Sequence, residues 1–274
     1  MSGLYLIGKY SLVYSNQVSS LNLLRLGHNP AYHTPAESLA IERLSEAFEH
    51  SQLDVAHRLA AFPRHVRRQD ISRFLCRYEI FKLALPTHGS VVDCGVFGGA
   101  GLMAWYHFSS ILEPYNHTRR VFGFDTFLGF ASLHDKDLHG VSEHHHSGAF
   151  DTASPVQREL EELIEIHDSN RPIGHIPKVT LIAGDARETI PKFLEDQPHV
   201  LVSLLYLDFD LYEPTKTALE HFLPRVVKGG IVAFDELNCE HFVGETTALL
   251  ETMGAPAAEL KRTNLDPYIS YFIR

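Results

Sequence analysis

Leu205-Tyr-Leu-Asp-Phe-Asp-Leu-Tyr-Glu-Pro-Thr215, followed by Gly229-Gly-Ile-Val-Ala-Phe-Asp-Glu236, decides how this chain is read. Both stretches begin as apolar runs and both end in acids, Asp208 and Asp210 in the first, Asp235 and Glu236 in the second. A carboxylate that closes a buried strand is costly unless it faces solvent, a cation or a proton to be moved. Acids at the ends of two successive strands therefore predict a site along one edge of a sheet.

Working outward, further strand-like runs occur at 90–96, 120–127, 178–183, 259–263 and 268–273, beside those at 202–208 and 230–235. Helix-like stretches at 100–112, 156–167, 188–194, 215–222 and 245–252 separate most of them. Strands alternating with helices predict a doubly wound parallel sheet covered on both faces. Only Asn264-Leu-Asp-Pro267 lies between the last two runs, too short for a helical crossover, so they must pair as an antiparallel hairpin. A dinucleotide fold differs, because its sixth strand arrives by another crossover.

Residues 1–68 are expected to form a helical N-terminal extension and residues 69–274 the α/β domain. Within the extension, apolar positions from Pro35 to Ala61 recur at helical spacing, which predicts one amphipathic helix. Its apolar face needs a cover, either its own domain or a second copy in a dimer. Asp70 reads as the N-cap of a helix running to about Leu85.

With 274 residues, 45% of them hydrophobic, the chain can bury a sizeable core. Its net charge of −10 and lack of a Lys/Arg run argue against nucleic acid as a partner. No apolar run reaches membrane-spanning length, no secretory leader is evident, and the scattered Cys76, Cys94 and Cys239 suggest no disulfide framework. A reducing cytoplasm is the expected compartment.

Ligands in such sheets bind beyond the carboxyl ends of the strands. After the first strand comes Asp93-Cys-Gly-Val-Phe-Gly-Gly-Ala-Gly101, whose glycines allow a tight turn and close backbone approach. It is neither GxGxxG nor a phosphate-binding loop ending in GK[ST]. Asp125 ends the second strand, where an acid can accept the hydroxyls of a ribose. Asp185 follows the third and offers an acceptor for an adenine amino group. Each acid alone could equally be a helix cap; together they favour a nucleoside-containing ligand. The long stretch 128–155 holds His134, His139 and His144-His-His146 and reads as a lid over the site, ordered by ligand.

Four segments in this order, Asp93-Cys-Gly-Val-Phe-Gly-Gly99, Phe124-Asp-Thr-Phe-Leu-Gly-Phe130, 207–215 and 229–236, resemble the macrocin O-methyltransferase (TylF-type) family. The resemblance covers roughly residues 70–274. It implies a class I methyltransferase (Rossmann-like) fold with a seven-stranded sheet, and methyl transfer from S-adenosylmethionine to a hydroxyl of a sugar or glycosylated natural product. It also implies a divalent cation, usually magnesium. By the same resemblance the methyl donor is held by Asp93, Gly95, Val96, Phe97 and Gly98 after the first strand, and by Asp125, Thr126 and Phe127 after the second. Asp185, Ala186 and Asp208 complete the donor set. The family often has Glu at the place of Asp93 and Asp-Asp at the place of Asp235-Glu236, so both acid positions differ in reach by one methylene.

An alcohol is a poor nucleophile until it begins to lose its proton, and magnesium takes oxygen ligands that lower a hydroxyl pKa and fix its orientation. Asp208, Asp235 and Glu236 are the expected metal ligands. Asp210, two residues beyond Asp208, is the first candidate for general base, with a cap for the helix near Pro214 as its alternative. The histidines of 134–146 and His241 are the other base candidates. Glu245 is expected near the acceptor or in the first turn of the last helix. Two competing readings keep the same sheet: a nicotinamide-dependent oxidoreductase, and a catalytically silent scaffold.

Overall fold

A computed structural model describes residues 34–142, 144–151, 155–254 and 259–274. The chain divides into two compact units, Met1–Ile71 and Ser72–Arg274. Whatever the N-terminal extension does before Thr34 lies outside the described residues.

In the first unit the single helix expected over Pro35–Ala61 is two helices. Helix α1, Pro35–Glu49, opens with a capping box in which the Glu37 amide donates to Thr34 Oγ1 at 3.3 Å and the Thr34 amide to Glu37 Oε2 at 2.9 Å. Helix α2, Val55–Ala60, starts afresh because Asp54 accepts from the His57 amide at 2.9 Å. The apolar spacing runs through both, so periodicity alone could not see the break. Helix α3, Arg68–Ala84, begins two residues before Asp70. Asp70 is thus in the first turn, not at the cap, and pairs with Arg67.

The second unit is a seven-stranded sheet in the order β3-β2-β1-β4-β5-β7-β6. Strands β1 (Ser90–Cys94), β2 (Val121–Asp125), β3 (Val179–Ala183), β4 (Val202–Leu207) and β5 (Val226–Phe234) run parallel. Strand β7 (Ser270–Ile273) is antiparallel to β5 and to the two-residue β6 (Lys261–Arg262). The hairpin is as expected, but its second strand is the inner one. Lying against β5, β7 pairs Ile231 through Phe234 with Ile273 through Ser270.

Helices α4 (Ala100–Leu112), α5 (Val156–Ser169), α6 (Ala186–Asp196), α7 (Tyr212–Phe222) and α8 (Gly244–Thr252) connect the strands. Period-two alternation in β4 sends Leu205 and Leu207 into a core cluster with residues of α6, α7 and α8. Leu204 and Tyr206 go to the opposite face with residues of α3, α4 and α5. Cys76, Cys94 and Cys239 are buried free thiols. Among the described residues, no helix is long and apolar enough to cross a membrane.

Candidate functional site: the carboxyl edge of the sheet

Strands β1 and β4 are neighbours although β2 leaves β1 on its other side, so the chain reverses direction of travel across the sheet there. This is where open α/β sheets form their ligand crevice. The turn after β1 is tight against the end of β4. Gly95, at φ 97°, could not carry a side chain, since a Cβ would stand 1.8 Å from the Asp208 carbonyl oxygen. The Asp208 amide in turn donates to the Cys94 carbonyl at 2.7 Å. The glycine turn and the first acid of the 205–215 stretch therefore share one wall.

Asp125 ties that turn to β2. Its two carboxylate oxygens accept from the Phe97 and Phe127 amides, both at 2.7 Å. Burial pushes its carboxyl above the usual range, and the amides of Phe97, Phe127, Val96 and Thr126 oppose this. Each oxygen keeps a lone pair for a further donor. Asp185 takes up the capping role: it accepts from the Arg187 amide at 3.0 Å at the start of α6, and the Arg187 guanidinium lowers its pKa. Ala186 beside it is buried.

Asp93 points away from the turn, into the face covered by α4. It is 1% exposed, and Oδ1 accepts from Trp105 Nε1 at 2.8 Å, while Oδ2 is buried with no hydrogen-bond partner. Burial pushes its carboxyl up to about 7. A folded-state pKa above the unfolded value means that folding binds protons between the two, so stability falls as pH rises from about 4 to 7. In Asp93→Asn this fall is expected to shrink. The stability of the variant relative to wild type should gain up to about 4 kcal/mol across that window, read from urea melts of ligand-free protein. A pH-independent difference would show that Asp93 is not held protonated.

The acid cluster lies between β4, β5 and α8. Asp208 keeps 26% of its side chain exposed, 3.6 Å from Arg77 Nη2. Burial and then the Asp235 charge hold its carboxyl high. Asp210 does not continue the strand. Its backbone is left-handed at φ 62°, so strand alternation does not set the direction of its side chain. Nor does it cap the next helix, whose N-cap is Leu211. Burial, then Glu236, Asp208 and Glu245, raise its pKa. Glu245, fully buried in the first turn of α8, accepts from the Asp210 amide at 3.4 Å and the Glu236 amide at 3.2 Å.

Asp235 is the exception. Burial would raise it, yet the Arg73 and Arg77 guanidiniums outweigh that and hold its carboxyl low. Arg73 and the Tyr206 hydroxyl donate to its two oxygens, and Arg77 Nη2 lies at 3.5 Å. Glu236, next along the chain, is pushed up to about 7 by burial and by Asp235, and its Oε2 is buried without a hydrogen-bond partner. Among the described residues no three His, Cys, Asp or Glu side chains form a ready metal cage; Arg73 and Tyr206 already occupy Asp235. The donor chemistry nonetheless fits a hard cation. It is all oxygen, it holds an unpartnered Glu236 Oε2, and its carboxylates raise one another's pKa.

Arg73, Arg77 and Tyr206 contact these acids, and the sequence reading missed them. The only available signal was a basic pair one helical turn apart on α3. The stretch described over 128–142 and 144–151 packs against the glycine turn and the residues before α8. Its neck closes where the Phe130 amide donates to Ala149 O and the Gly148 amide to Phe130 O, both at 2.9 Å. Phe150 then bridges Phe97 of the glycine turn (6.1 Å between centroids) and Phe242 before α8 (6.0 Å). His144 packs on Phe150, His145 on Phe242 and His134 on Tyr212.

A family model described as macrocin O-methyltransferase (TylF) matches residues 76–251. A Streptomyces olivaceus protein, 8-demethyl-8-(2,3-dimethoxy-alpha-L-rhamnosyl)-tetracenomycin-C 4'-O-methyltransferase, is 29% identical over 160 residues, 56% of this chain and 55% of that protein. The match thus spans about half the length of that relative. Among solved structures, CalS11, a calicheamicin methyltransferase, superposes with a TM-score of 0.85 at 31% identity, covering 88% of this chain and 94% of that one. An apo structure of CalS11, described as a TDP-rhamnose 3'-O-methyltransferase of calicheamicin biosynthesis, gives 0.77 at 29%, covering 88% and 96%. The O-methyltransferase NovP shares the fold, with a TM-score of 0.55 at 20% identity over 74% of this chain and 80% of that one. On the extent of the family match and the likeness to CalS11, the chain belongs to the macrocin O-methyltransferase (TylF) family.

Proposed function

We propose that this chain moves a methyl group from S-adenosylmethionine to a hydroxyl of a small acceptor, a sugar or a glycosylated natural product, with a divalent cation such as magnesium. The observation that carries the reading is the contact of Gly95 with the Asp208 backbone, which sets the nucleoside side and the acid cluster against each other. S-adenosylmethionine supplies an electrophilic methyl group on a sulfonium. The Gly95–Gly98 turn gives it close backbone approach, Asp125 accepts its ribose hydroxyls, and the Asp185–Ala186 corner flanks the base.

Asp208, Asp235 and Glu236 are the proposed cation ligands; Asp235 must then give up part of its contact with Arg73. The cation, when bound, lowers the pKa of an acceptor hydroxyl. Asp210 is the proposed base that takes the hydroxyl proton; burial and Glu236 raise its pKa, and the charge of a bound cation would bring it back to the carboxylate that a base must be. The relatives named above act on sugar-bearing molecules, which supports a deoxysugar hydroxyl as the acceptor group. A cytoplasmic location and a dimer built through the N-terminal extension belong to the same reading.

The test begins with titration calorimetry against S-adenosylhomocysteine and NAD. Binding of the first alone is expected, and tight binding of NAD with no response to the first would replace the proposal with an oxidoreductase. Exhaustive EDTA treatment should then abolish transfer of labelled methyl to rhamnosylated acceptors, and magnesium should restore it. Full activity after chelation would remove the cation from the mechanism.

A further inference from the structure

Helix α7 begins with a defect. The first amides of a helix have no partner within it, and the residue before it normally supplies one from a short polar side chain. Here that residue is Leu211, with extended backbone and no side-chain cap. The missing acceptor comes from a residue far away in sequence. Asp137 Oδ1, on the loop segment, accepts from the Tyr212 amide at 2.7 Å, and Asp137 is only 2% exposed. Its other oxygen accepts from the His134 amide at 2.8 Å, so the carboxylate is held from its own side as well. A negative charge there also suits the positive end of the helix.

The position of that helix start matters because the acids precede it directly. Three alternate amides fix the run: Asp208 N to Cys94 O on β1, Asp210 N to Glu245 Oε1 on α8, and Tyr212 N to Asp137 on the loop. Between the last two, Asp210 sits in a left-handed backbone that a non-glycine residue adopts only when its surroundings hold it there. Its carbonyl is also packed against Gly244, where a Cβ would come within 2.5 Å. We propose that Asp137 is a positioning residue for the strand-end acids, so that docking of the segment around Asp137 on α7 and correct placement of Asp210 are one event. The proposal rests on the methyltransferase reading and adds a part to it: Asp137 acts through the helix cap. Two further contacts reinforce the docking of the loop on α7 and α8. Lys136 donates to Glu251, whose other oxygen accepts from the Tyr212 hydroxyl at 2.6 Å, and Lys136 Nζ lies 4.0 Å from the centre of the Tyr212 ring.

The experiment compares Asp137→Ala, Asp137→Asn and wild type by amide hydrogen exchange and steady-state kinetics on the full chain. In Asp137→Ala the Tyr212 amide should exchange about tenfold faster or more, the loss expected for a missing cap. kcat should fall by at least about tenfold, while the KM for donor and for acceptor stays within about twofold. Asp137→Asn keeps one oxygen acceptor; turned toward the Tyr212 amide, it should restore much of the protection and of kcat, at the cost of the bond from the His134 amide. Unchanged exchange at residues 208–212 in Asp137→Ala would overturn the proposal, as would a kcat within twofold of wild type. Exchange is read without turnover, so an inactive wild type would sink the methyltransferase reading while leaving the cap to be judged on its own.

Discussion

Asp208→Asn is expected to lower kcat by about a thousandfold while leaving the fold at least as stable as wild type. Both effects follow from the same surroundings. Asp208 is held by burial, next to the charges of Asp235 and Glu236, with a single guanidinium contact at 3.6 Å. Asparagine matches the carboxylate in shape and removes a charge that its neighbours repel, so the folded state loses little. What is lost is an anionic oxygen at the junction of donor wall and acid cluster. In the proposed mechanism a cation at that junction needs the charge, and the acceptor hydroxyl needs the cation. Thermal melts with kcat on one preparation test this, and magnesium titration of the ligand-free variant gives a reading without turnover. A variant with wild-type kcat would take Asp208 out of the mechanism. A variant that fails to fold would show instead that the Arg77 contact is structurally required, against the weak geometry at 3.6 Å.

Much of this is legible in the sequence, for physical reasons. Strand alternation, the glycine turn and acids at strand ends are local patterns, each fixed by residues a few positions apart. The hairpin was legible because a four-residue connection leaves no other pairing. That β7 would lie inside β6, against β5, was not, since either strand could take the inner place under the same loop constraint. The break between α1 and α2 was hidden because the apolar spacing stays in phase across it and only the cap at Asp54 marks the restart. Charged partners were the least legible. Arg73 and Arg77 stand one turn apart on a helix whose pattern offers no clue that its cations face inward. Tyr206 sits in an apolar run where a tyrosine reads as core, and its ring is core, but its hydroxyl reaches Asp235. Asp137 caps a helix 75 residues away in sequence, which no local rule can find. The acids themselves were visible; the groups that set their charge state come from distant parts of the chain.

Those groups make the second large effect. Arg77 is 9% exposed, its guanidinium 5.2 Å above the Tyr206 ring and within 3.6 Å of both Asp235 and Asp208. Replacing it by methionine keeps length and apolar packing but leaves buried carboxylates facing one another with Arg73 alone to balance them. Breaking a buried pair in this way costs about 3–5 kcal/mol, because the remaining charge has lost its partner but not its burial. For a chain of this size that corresponds to a melting temperature lower by about 10 °C. The exposed Lys192–Asp196 pair, 2.7 Å apart on the outside of α6, is the control: Lys192→Met should leave the melt unchanged. The sign of the pH dependence follows from Asp235. Arg73 and Arg77 hold its folded pKa below the unfolded value, so its contribution is present above the unfolded pKa and disappears as pH falls through the folded one. The gap between wild type and Arg77→Met should therefore be widest above pH 4 and should close in stronger acid. Magnesium gives the sharper reading. If the acids form a cation site, millimolar magnesium should raise the melting temperature of Arg77→Met more than that of wild type, since the cation then supplies the charge that the variant lacks. An equal magnesium shift in both proteins, with the predicted drop present, would mean that Arg77 balances the acids structurally and that the cation binds elsewhere.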